Sequence, residues 1–277
     1  MVNRKSKRRS RVFRRWRELR WAGKVWRVVW VGVLSLWLLS LVAVVAFRFV
    51  FPPFTPLMVQ RFVQQCADDG RSVRFERDYV RLDAISPHLV TAVVCSEDAM
   101  FLYHSGFDVK QLKQSYRENQ RGRRVRGGST ISMQTAKNVF LPHTRTMLRK
   151  AVEAYFTQLI EWVWGKHRIM EVYLNVIEFG DGIYGCEAAS QHYFGHSART
   201  LSRREAAQLA VSLPAPMRVN PAANGPYFRR QTEVVLKRMG QWRVDLDMPR
   251  DRRRERYGRQ ENLWDFLSWW FKQRKKR

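Results

Sequence analysis

Residues 147–163 read MLRKAVEAYFTQLIEWV, and apolar side chains recur in this stretch with a period close to that of an α-helix. Arg149, Lys150 and Glu153 fall on the other side, and Arg149 and Glu153 have the i,i+4 spacing of an intrahelical ion pair. Gly165 follows shortly after, where a helix commonly ends. The pattern predicts a long amphipathic helix with one buried face.

Signals on either side of this stretch are also mainly helical. Ser86-Pro87 has the composition of an N-cap and a first helical residue, and residues 202–205 (SRRE) form a capping box. After a loop rich in Arg and Gly, Ser129 is expected to cap a further helix. Strand patterns are scarce, and the weak alternation over residues 71–80 predicts only a short hairpin arm. We therefore predict one mostly α domain over residues 57–248.

An uncharged run, VVWVGVLSLWLLSLVAVVAF, occupies residues 28–47. At about 1.5 Å per residue, a helix of this length spans the roughly 30 Å hydrocarbon core of a bilayer. A cleaved signal peptide would have a shorter apolar stretch, and a core helix would not be apolar all round. We predict a transmembrane helix over residues 28–48 and an extended linker over 49–56, where FPPFTP disfavours helix.

The positive charge of the chain is concentrated in its two tails. The 277 residues carry a net charge of +27, of which residues 1–27 hold +11 and residues 250–277 hold +7. Because Lys/Arg-rich flanks stay in the cytoplasm, residues 1–27 are predicted to be a cytoplasmic tail and the folded domain to lie outside the cytoplasm. This orientation argues against nucleic acid as a partner, although a basic chain by itself suggests one. Three Cys are too few for a dense disulfide framework.

The C-terminal tail, residues 249–277, has a different composition from the domain. Its apolar residues that share one helical face are Leu263, Phe266, Leu267, Trp270 and Phe271. Flanked by Arg-rich runs, this segment fits a basic amphipathic helix on an anionic membrane surface. A disordered charged tail with an incidental aromatic cluster fits equally well.

Two short segments have the composition of a reactive site. Glu97 stands where an apolar helix is predicted to end, a position in which burial can raise the pKa of a carboxyl group and suit it to general-base catalysis. Residues 127–138 (GGSTISMQTAKN) lead from a Gly pair into a helix, and the free N–H groups of such a helix start bind anions. The alternatives are an ordinary surface carboxylate and a flexible loop.

A cluster of charges follows in the chain. Lys137, Arg145, Arg149 and Lys150 place four cations near the carboxylate of Glu153 within 17 residues. Solvated surface charge is the usual explanation of such a run. Because the apolar stripe of residues 147–163 fixes which side these residues face, they can instead meet the loop above and bind an anion together.

Five motifs in order carry a family resemblance. After Glu97 come D-x-x-F-x-x-H-x-G-x-D, R-G-G-S-T-I-S-x-Q, R-K-x-x-E, K-x-R-I-x-E-x-Y-L-N and E-A-A-S-Q-x-Y-F-G. The chain resembles the peptidoglycan glycosyltransferases, most closely the monofunctional biosynthetic transglycosylases of Gram-negative bacteria. The resemblance covers about residues 52–240 and implies a mostly α, lysozyme-like glycosyltransferase domain preceded by one transmembrane helix.

The resemblance implies an activity and roles for the residues that match. The family polymerises glycan strands from lipid II, with inversion at the MurNAc anomeric carbon and release of undecaprenyl diphosphate. Glu97 matches the general base that accepts a proton from the acceptor hydroxyl. Lys137 and Arg145 match contacts to the diphosphate, with Arg149 and Lys150 beside them.

Further roles follow from the same resemblance. Glu153 matches a second essential carboxylate near the diphosphate, where it could help to hold a divalent cation, Mg²⁺ or Mn²⁺. Asp98 matches a residue that orients its neighbours in the substrate site, and Ser129 and Gln134 match polar contacts to the donor. Met133 stands where the family usually has a first Gln, which removes one hydrogen-bonding side chain.

The resemblance also implies partners and a location. The implied partners are lipid II and the growing glycan strand, inner-membrane lipids and other cell-wall synthesis proteins. The implied location is the inner membrane, with a single membrane-spanning helix and a periplasmic catalytic domain. Two alternatives remain, a basic membrane-anchored scaffold and a lytic muramidase. A bifunctional penicillin-binding protein is excluded because no S-x-x-K occurs in the sequence.

Overall fold

The structure is a computed structural model, and it describes residues 4–68, 70, 72–120, 128–144, 146–223, 225–242, 244–247 and 261–274. The Arg- and Gly-rich loop before Gly128 therefore lies outside the described residues. The chain forms two compact units, residues 1–50 and residues 51–277, and each is described by itself.

In the first unit, the described residues form one long helix, α1 (Arg4–Phe49). Residues 23–49 are long and apolar enough to cross a membrane, and their large side chains are mostly exposed. The predicted span of residues 28–48 lies within this segment. The helix begins well before this span, and the basic N-terminal segment is continuous with it.

The second unit is built mainly from helices. In chain order they are α2 (Pro56–Cys66), α3 (Pro87–Glu97), α4 (Val109–Gln120), α5 (Ile131–Phe140), α6 (Met147–Val163), α7 (Gly165–Val176), α8 (Cys186–Phe194), α9 (Arg203–Ser212), α10 (Pro226–Met239) and α11 (Leu263–Arg274). Two short 3₁₀ helices, Leu82–Ala84 and Ala198–Thr200, connect them. The prediction of a mostly α domain is confirmed.

Local sequence accounts for several helix starts. The Thr55 side chain accepts the N–H of Met58, and Pro56 occupies the first helical position of α2, where its missing N–H costs nothing. At α9, Ser202 and Glu205 form the capping box expected from the sequence. The cap of α5 is one residue later than expected, since Thr130 rather than Ser129 accepts the N–H of Met133.

A small sheet forms beside the helices, in the strand order β1–β3–β2. Its strands are β1 (Glu76–Arg77), β2 (Glu178–Gly180) and β3 (Ile183–Tyr184). The prediction of a hairpin arm over residues 71–80 is wrong, because β1 pairs in parallel with β3, which is distant in the chain. Gly182 permits the chain before β3 to lie close to the chain before β1. Its φ is +74°, and a Cβ there would lie 2.1 Å from the carbonyl oxygen of Arg74.

The core surrounds α3, which packs against α9 and α10, while α5 packs against α6 and α7. The side chains of Leu89, Ala92 and Val93 on α3 are completely buried. A helix with apolar residues on most of its surface is held on several sides. The C-terminal end of α3, where Glu97 lies, is therefore fixed by the core.

The C-terminal tail contains a helix, α11, which packs against α4. Of the two interpretations of this segment, the disordered tail is wrong for residues 263–274. The ring that contacts α4 is Trp269, which is not among the apolar residues that the sequence pattern singled out.

Candidate active site

Glu97 is the last residue of α3, and its half-buried carboxylate is held by an amide. The Nε2 of Gln134, on α5, donates to the Oε2 of Glu97 over 2.9 Å. The hydroxyl of the fully buried Tyr173, on α7, donates to the Oε1 of the same amide over 3.2 Å. Because the tyrosine occupies the amide oxygen, the amide presents its N–H group to the carboxylate.

Asp98 lies next to Glu97 but faces the protein. Its Oδ2 accepts the backbone N–H of Ile131 over 2.9 Å and lies 2.8 Å from the Nε2 of His104. Since the Nδ1 of His104 accepts the N–H of Gly106, the Nε2 carries the proton and donates to Asp98. Asp98 thus ties the end of α3 to the start of α5 and orients its neighbours.

Lys137 links the two carboxylates predicted to act in catalysis. It lies on α5, one helical turn after Gln134. Burial lowers the pKa of Lys137, the negative charges of Glu153 and Glu97 raise it, and the positive charge of Arg149 lowers it further. One ammonium group is therefore electrostatically coupled to a carboxylate on α3 and to another on α6.

The pKa of Glu97 is raised above its ordinary value. Burial is the largest cause, and the neighbouring charge of Asp98 acts in the same direction. The hydrogen bond from Gln134 and the positive charge of Lys137 partly offset this rise. The result is a carboxyl group that binds a proton more readily than an exposed glutamate.

Arg149 and Glu153 form the i,i+4 ion pair that their spacing predicts on α6. Both side chains are largely buried, and the buried Nε of Arg149 has no hydrogen-bond partner among the described residues. Burial and the cations Lys137, Arg61 and Arg149 lower the pKa of His143 to about 4. This side of the site is electropositive and retains a free donor for an anion.

The remaining predicted residues are placed differently. Ser129 and Lys150 are exposed, and no hydrogen bond of either side chain connects it to Glu97 or Glu153 among the described contacts. Arg145 lies outside the described residues. Met133, on the first turn of α5, is partly exposed one residue before Gln134.

Glu153 is the one residue that the sequence predicts to help hold a divalent cation. The described residues contain no group of three or more His, Cys, Asp or Glu side chains arranged to hold a metal. The Glu153 carboxylate is already paired with Arg149. Because Mg²⁺ usually keeps several waters and binds through one or two carboxylates together with substrate phosphates, a cation at Glu153 stays a prediction.

Several side chains of the last two motifs hold the fold together. Within K-x-R-I-x-E-x-Y-L-N, the ammonium of Lys166 forms a buried ion pair with Glu161 over 2.6 Å, which joins α7 to α6. The amide of Asn175 bonds both the N–H and the carbonyl of Val80. In the last motif, Glu187 accepts the N–H of Ala198 over 2.7 Å. These side chains hold connecting segments in place.

Tyr173 is the contributor to the site that sequence reasoning missed. It falls within a recognised motif, but its hydroxyl reaches an amide that lies 39 positions earlier in the chain. Its place on a completely buried face of α7 gave no indication of this contact, because a buried Tyr on a helix is usually part of the core.

Comparison with known proteins agrees with this geometry. A family model described as "Transglycosylase" matches residues 64–240. The chain belongs to the transglycosylase family. The match contains every described residue of the site, from Glu97 on α3 to Tyr173 on α7. It ends before α11.

Curated transglycosylases are similar over most of their length. A biosynthetic peptidoglycan transglycosylase of Caulobacter vibrioides is 48% identical over 204 residues, which are 74% of this chain and 86% of the relative. Those of Rhodospirillum centenum and Pseudomonas aeruginosa are 48% and 43% identical, over 76% and 74% of this chain and 89% of each relative. The predicted family resemblance and the assignment as a glycosyltransferase enzyme are confirmed.

Proposed function

We propose that this transglycosylase polymerises peptidoglycan glycan strands from lipid II, with inversion at the MurNAc anomeric carbon and release of undecaprenyl diphosphate. The observation that supports the proposal is the position of α5: Gln134 on this helix bonds the Glu97 carboxylate, and Lys137 follows one turn later. The same helix packs against α6, which carries the Arg149–Glu153 ion pair. In this proposal, the proton acceptor and the cations form one site. Transfer of a sugar from a diphosphate requires both.

Glu97 serves as the general base. Its ionised carboxylate accepts the proton of the acceptor 4-hydroxyl while that oxygen attacks the anomeric carbon of the donor. The new C–O bond forms on the face opposite the diphosphate, so the configuration inverts. The raised pKa of Glu97 makes its carboxylate a stronger proton acceptor, and the amide of Gln134 keeps it oriented.

Lys137 and Arg149 stabilise the leaving group. As the bond between the anomeric carbon and the diphosphate oxygen breaks, its electron pair moves onto that oxygen and negative charge increases there. An inverting glycosidase supplies a carboxylic acid to protonate its leaving group, whereas a diphosphate needs only charge neutralisation. The free Nε donor of Arg149 suits this purpose. Arg145 and Lys150 extend the cationic region in this proposal.

Glu153 orients the cations rather than transferring a proton. Its ion pair with Arg149 fixes the direction of the guanidinium, and its charge raises the pKa of Lys137, which burial lowers. Asp98 positions the start of α5, and Ser129 contacts the donor sugar in this scheme. A divalent cation stays a prediction, and no step here depends on it. Removing Mg²⁺ or Mn²⁺ with a chelator in the polymerisation assay tests it.

We also infer a membrane topology. Residues 23–49 anchor the chain, the basic N-terminal segment stays in the cytoplasm, and the catalytic unit lies in the periplasm at the inner membrane. This arrangement gives the enzyme access to a lipid-linked substrate. The growing glycan strand, membrane lipids and other cell-wall synthesis proteins are then its partners, and nucleic acid is not.

The test is polymerisation of labelled lipid II by the purified chain in detergent. The wild-type protein and a Glu233→Gln control, which alters an exposed surface ion pair with Arg204, are expected to give polymer. Glu97→Gln is expected to give none, because an amide cannot accept the proton. Polymer from Glu97→Gln at the wild-type rate would refute the assigned base.

A further inference from the structure

Helix α11 lies beyond the matched residues 64–240 and is held on α4 by specific side chains. The ring of Trp269 meets the ring of Tyr116 edge-on, with centroids 5.5 Å apart. Arg117 and Lys113 lie over the same ring at 5.5 and 5.9 Å from its centroid. One indole therefore contacts three residues that follow each other along one face of α4.

An ion pair reinforces this contact. The ammonium of Lys113 lies 2.8 Å from both carboxylate oxygens of Glu261, just before α11 begins. The Lys113 side chain is mostly covered there. Lys113 is thus shared between a carboxylate and an indole of the same tail segment, which makes the packing specific in register and not merely apolar.

Helix α4 has few buried side chains of its own and depends on contacts with a packing partner. Among its described side chains only Val109 is buried, and its sequence VKQLKQSYRENQ is mostly polar. A helix of this length is marginal in water without packing partners. Residues 261–274 supply such partners along its second half.

An adjoining face of α4 touches the segment that starts α5. A Cβ on Gly128 would lie 3.2 Å from the Oγ of Ser115 and 3.7 Å from the Cδ2 of Leu112. Two residues later, Thr130 caps α5 and also donates its hydroxyl to the carbonyl of Gly106 over 2.6 Å. Helix α4 therefore contacts both α11 and the turn from which α5 begins.

The start of α5 is directly connected to the catalytic carboxylate. The N–H of Ile131 bonds Asp98, and one turn later Gln134 bonds Glu97. Lys137 follows on the same helix. A shift of the α5 start would move both the amide that orients the base and the ammonium that faces the leaving group.

We propose that α11 is a brace supplied by the chain's own tail: Trp269 and Glu261 hold α4 against the Gly128 turn and so position α5 for glycosyl transfer. Trp269 is a positioning residue, since it acts through α4 and touches no reacting group. The inference rests on the proposed function for its kinetic effect, but the packing effect can be measured without it.

The experiment compares Trp269→Ala with Trp264→Ala in the full-length protein. Trp264 is the matched control because it lies on the same helix with 76% of its surface exposed. Trp269→Ala is expected to lower kcat for lipid II about tenfold, with little change in KM. A displacement of catalytic groups by about 1 Å can cost roughly a hundredfold, and Trp269 acts on them only through α4. Trp269→Phe is expected to recover most of the rate, because a phenyl ring still packs against Tyr116 and accepts the cations.

Hydrogen exchange of α4 provides a second readout that does not depend on the reaction. Amides of residues 112–120 are expected to exchange faster in Trp269→Ala and unchanged in Trp264→Ala. Unchanged exchange and rate in Trp269→Ala would overturn the brace. Equal losses of rate in both variants, seen only when the protein is assayed in vesicles of anionic phospholipid, would also overturn the brace. They would indicate that α11 is a lipid-binding surface. If the wild-type chain gives no polymer, the proposed function fails, and the exchange data still decide the brace.

Discussion

At the level of single residues, the site depends on a short hydrogen-bonded series that runs from Tyr173 through Gln134 to Glu97. The tyrosine fixes which end of the amide faces the carboxylate. The amide N–H then stabilises the ionised form of Glu97, while burial and Asp98 favour the protonated form. The balance between these effects sets the pH at which the base becomes available.

Gln134→Leu tests this balance through the pH dependence of the rate. A general base works when deprotonated, so activity is present above the pKa of Glu97 and lost as the pH falls through it. Gln134 lowers that pKa, and removing its N–H raises it. The acidic limb of kcat/KM for lipid II is therefore expected to move to higher pH.

The control for this shift is Gln191→Leu, which removes an amide bonded to Glu187 on α8 and should leave the profile unchanged. An acidic limb of Gln134→Leu at or below that of the wild-type protein would contradict the assignment of Glu97 as the titrating group.

At the level of secondary-structure elements, sequence patterns predicted what is local and missed what depends on distant packing. The stripe over residues 147–163 defines α6 with its observed bounds, because periodicity and capping are properties of neighbouring residues. The sequence pattern favours Ser129 as the cap of α5, but adjacent hydroxyl residues are nearly equivalent in such a pattern. The bonds of Thr130 to Met133 and Gly106 distinguish the two residues.

The site follows the same rule. The motif that contains Glu97 and the spacing of Arg149 and Glu153 could be recognised in the sequence, and the structure places them accordingly. The electrostatic effect of Lys137 on two carboxylates could not be recognised in the sequence, because it requires α3, α5 and α6 to meet in the folded chain. The parallel pairing of β1 was missed for the same reason.

Thr130→Ala and Ser129→Ala form a matched pair that tests the start of α5. Thr130→Ala removes the N-cap and the bond to Gly106 and is expected to lower the free energy of unfolding by about 1–2 kcal/mol. Ser129 is exposed, so Ser129→Ala should change it by less than about 0.5 kcal/mol. Urea denaturation of both variants measures the difference. A larger loss of unfolding free energy in Ser129→Ala than in Thr130→Ala would contradict Thr130 as the cap of α5.

At the level of the whole molecule, the chain consists of an apolar helix that is long enough to cross a membrane and of a catalytic unit. In the proposed topology, the helix over residues 23–49 supplies the anchor, and residues 51–277 contain the site and its proposed C-terminal brace. Under the positive-inside rule, the basic residues before this helix are expected to set the direction of insertion.

Protease accessibility tests that direction. In spheroplasts with an intact inner membrane, external trypsin is expected to digest residues 51–277 and to leave an epitope at the N-terminus protected. Permeabilised cells provide the control, in which both ends should be cut. Loss of the N-terminal epitope in intact spheroplasts would contradict the proposed orientation.

The most direct test of one shared site is equilibrium binding of fluorescent lipid II to Glu97→Gln and Lys137→Met, measured together with polymerisation. Glu97→Gln is expected to bind within about twofold of the wild-type Kd and to make no polymer. Lys137→Met is expected to bind at least about tenfold more weakly, since it loses a charged contact of about 1.5–3 kcal/mol. Wild-type affinity and wild-type polymerisation by Lys137→Met would contradict a site in which base and cations act on the same molecule.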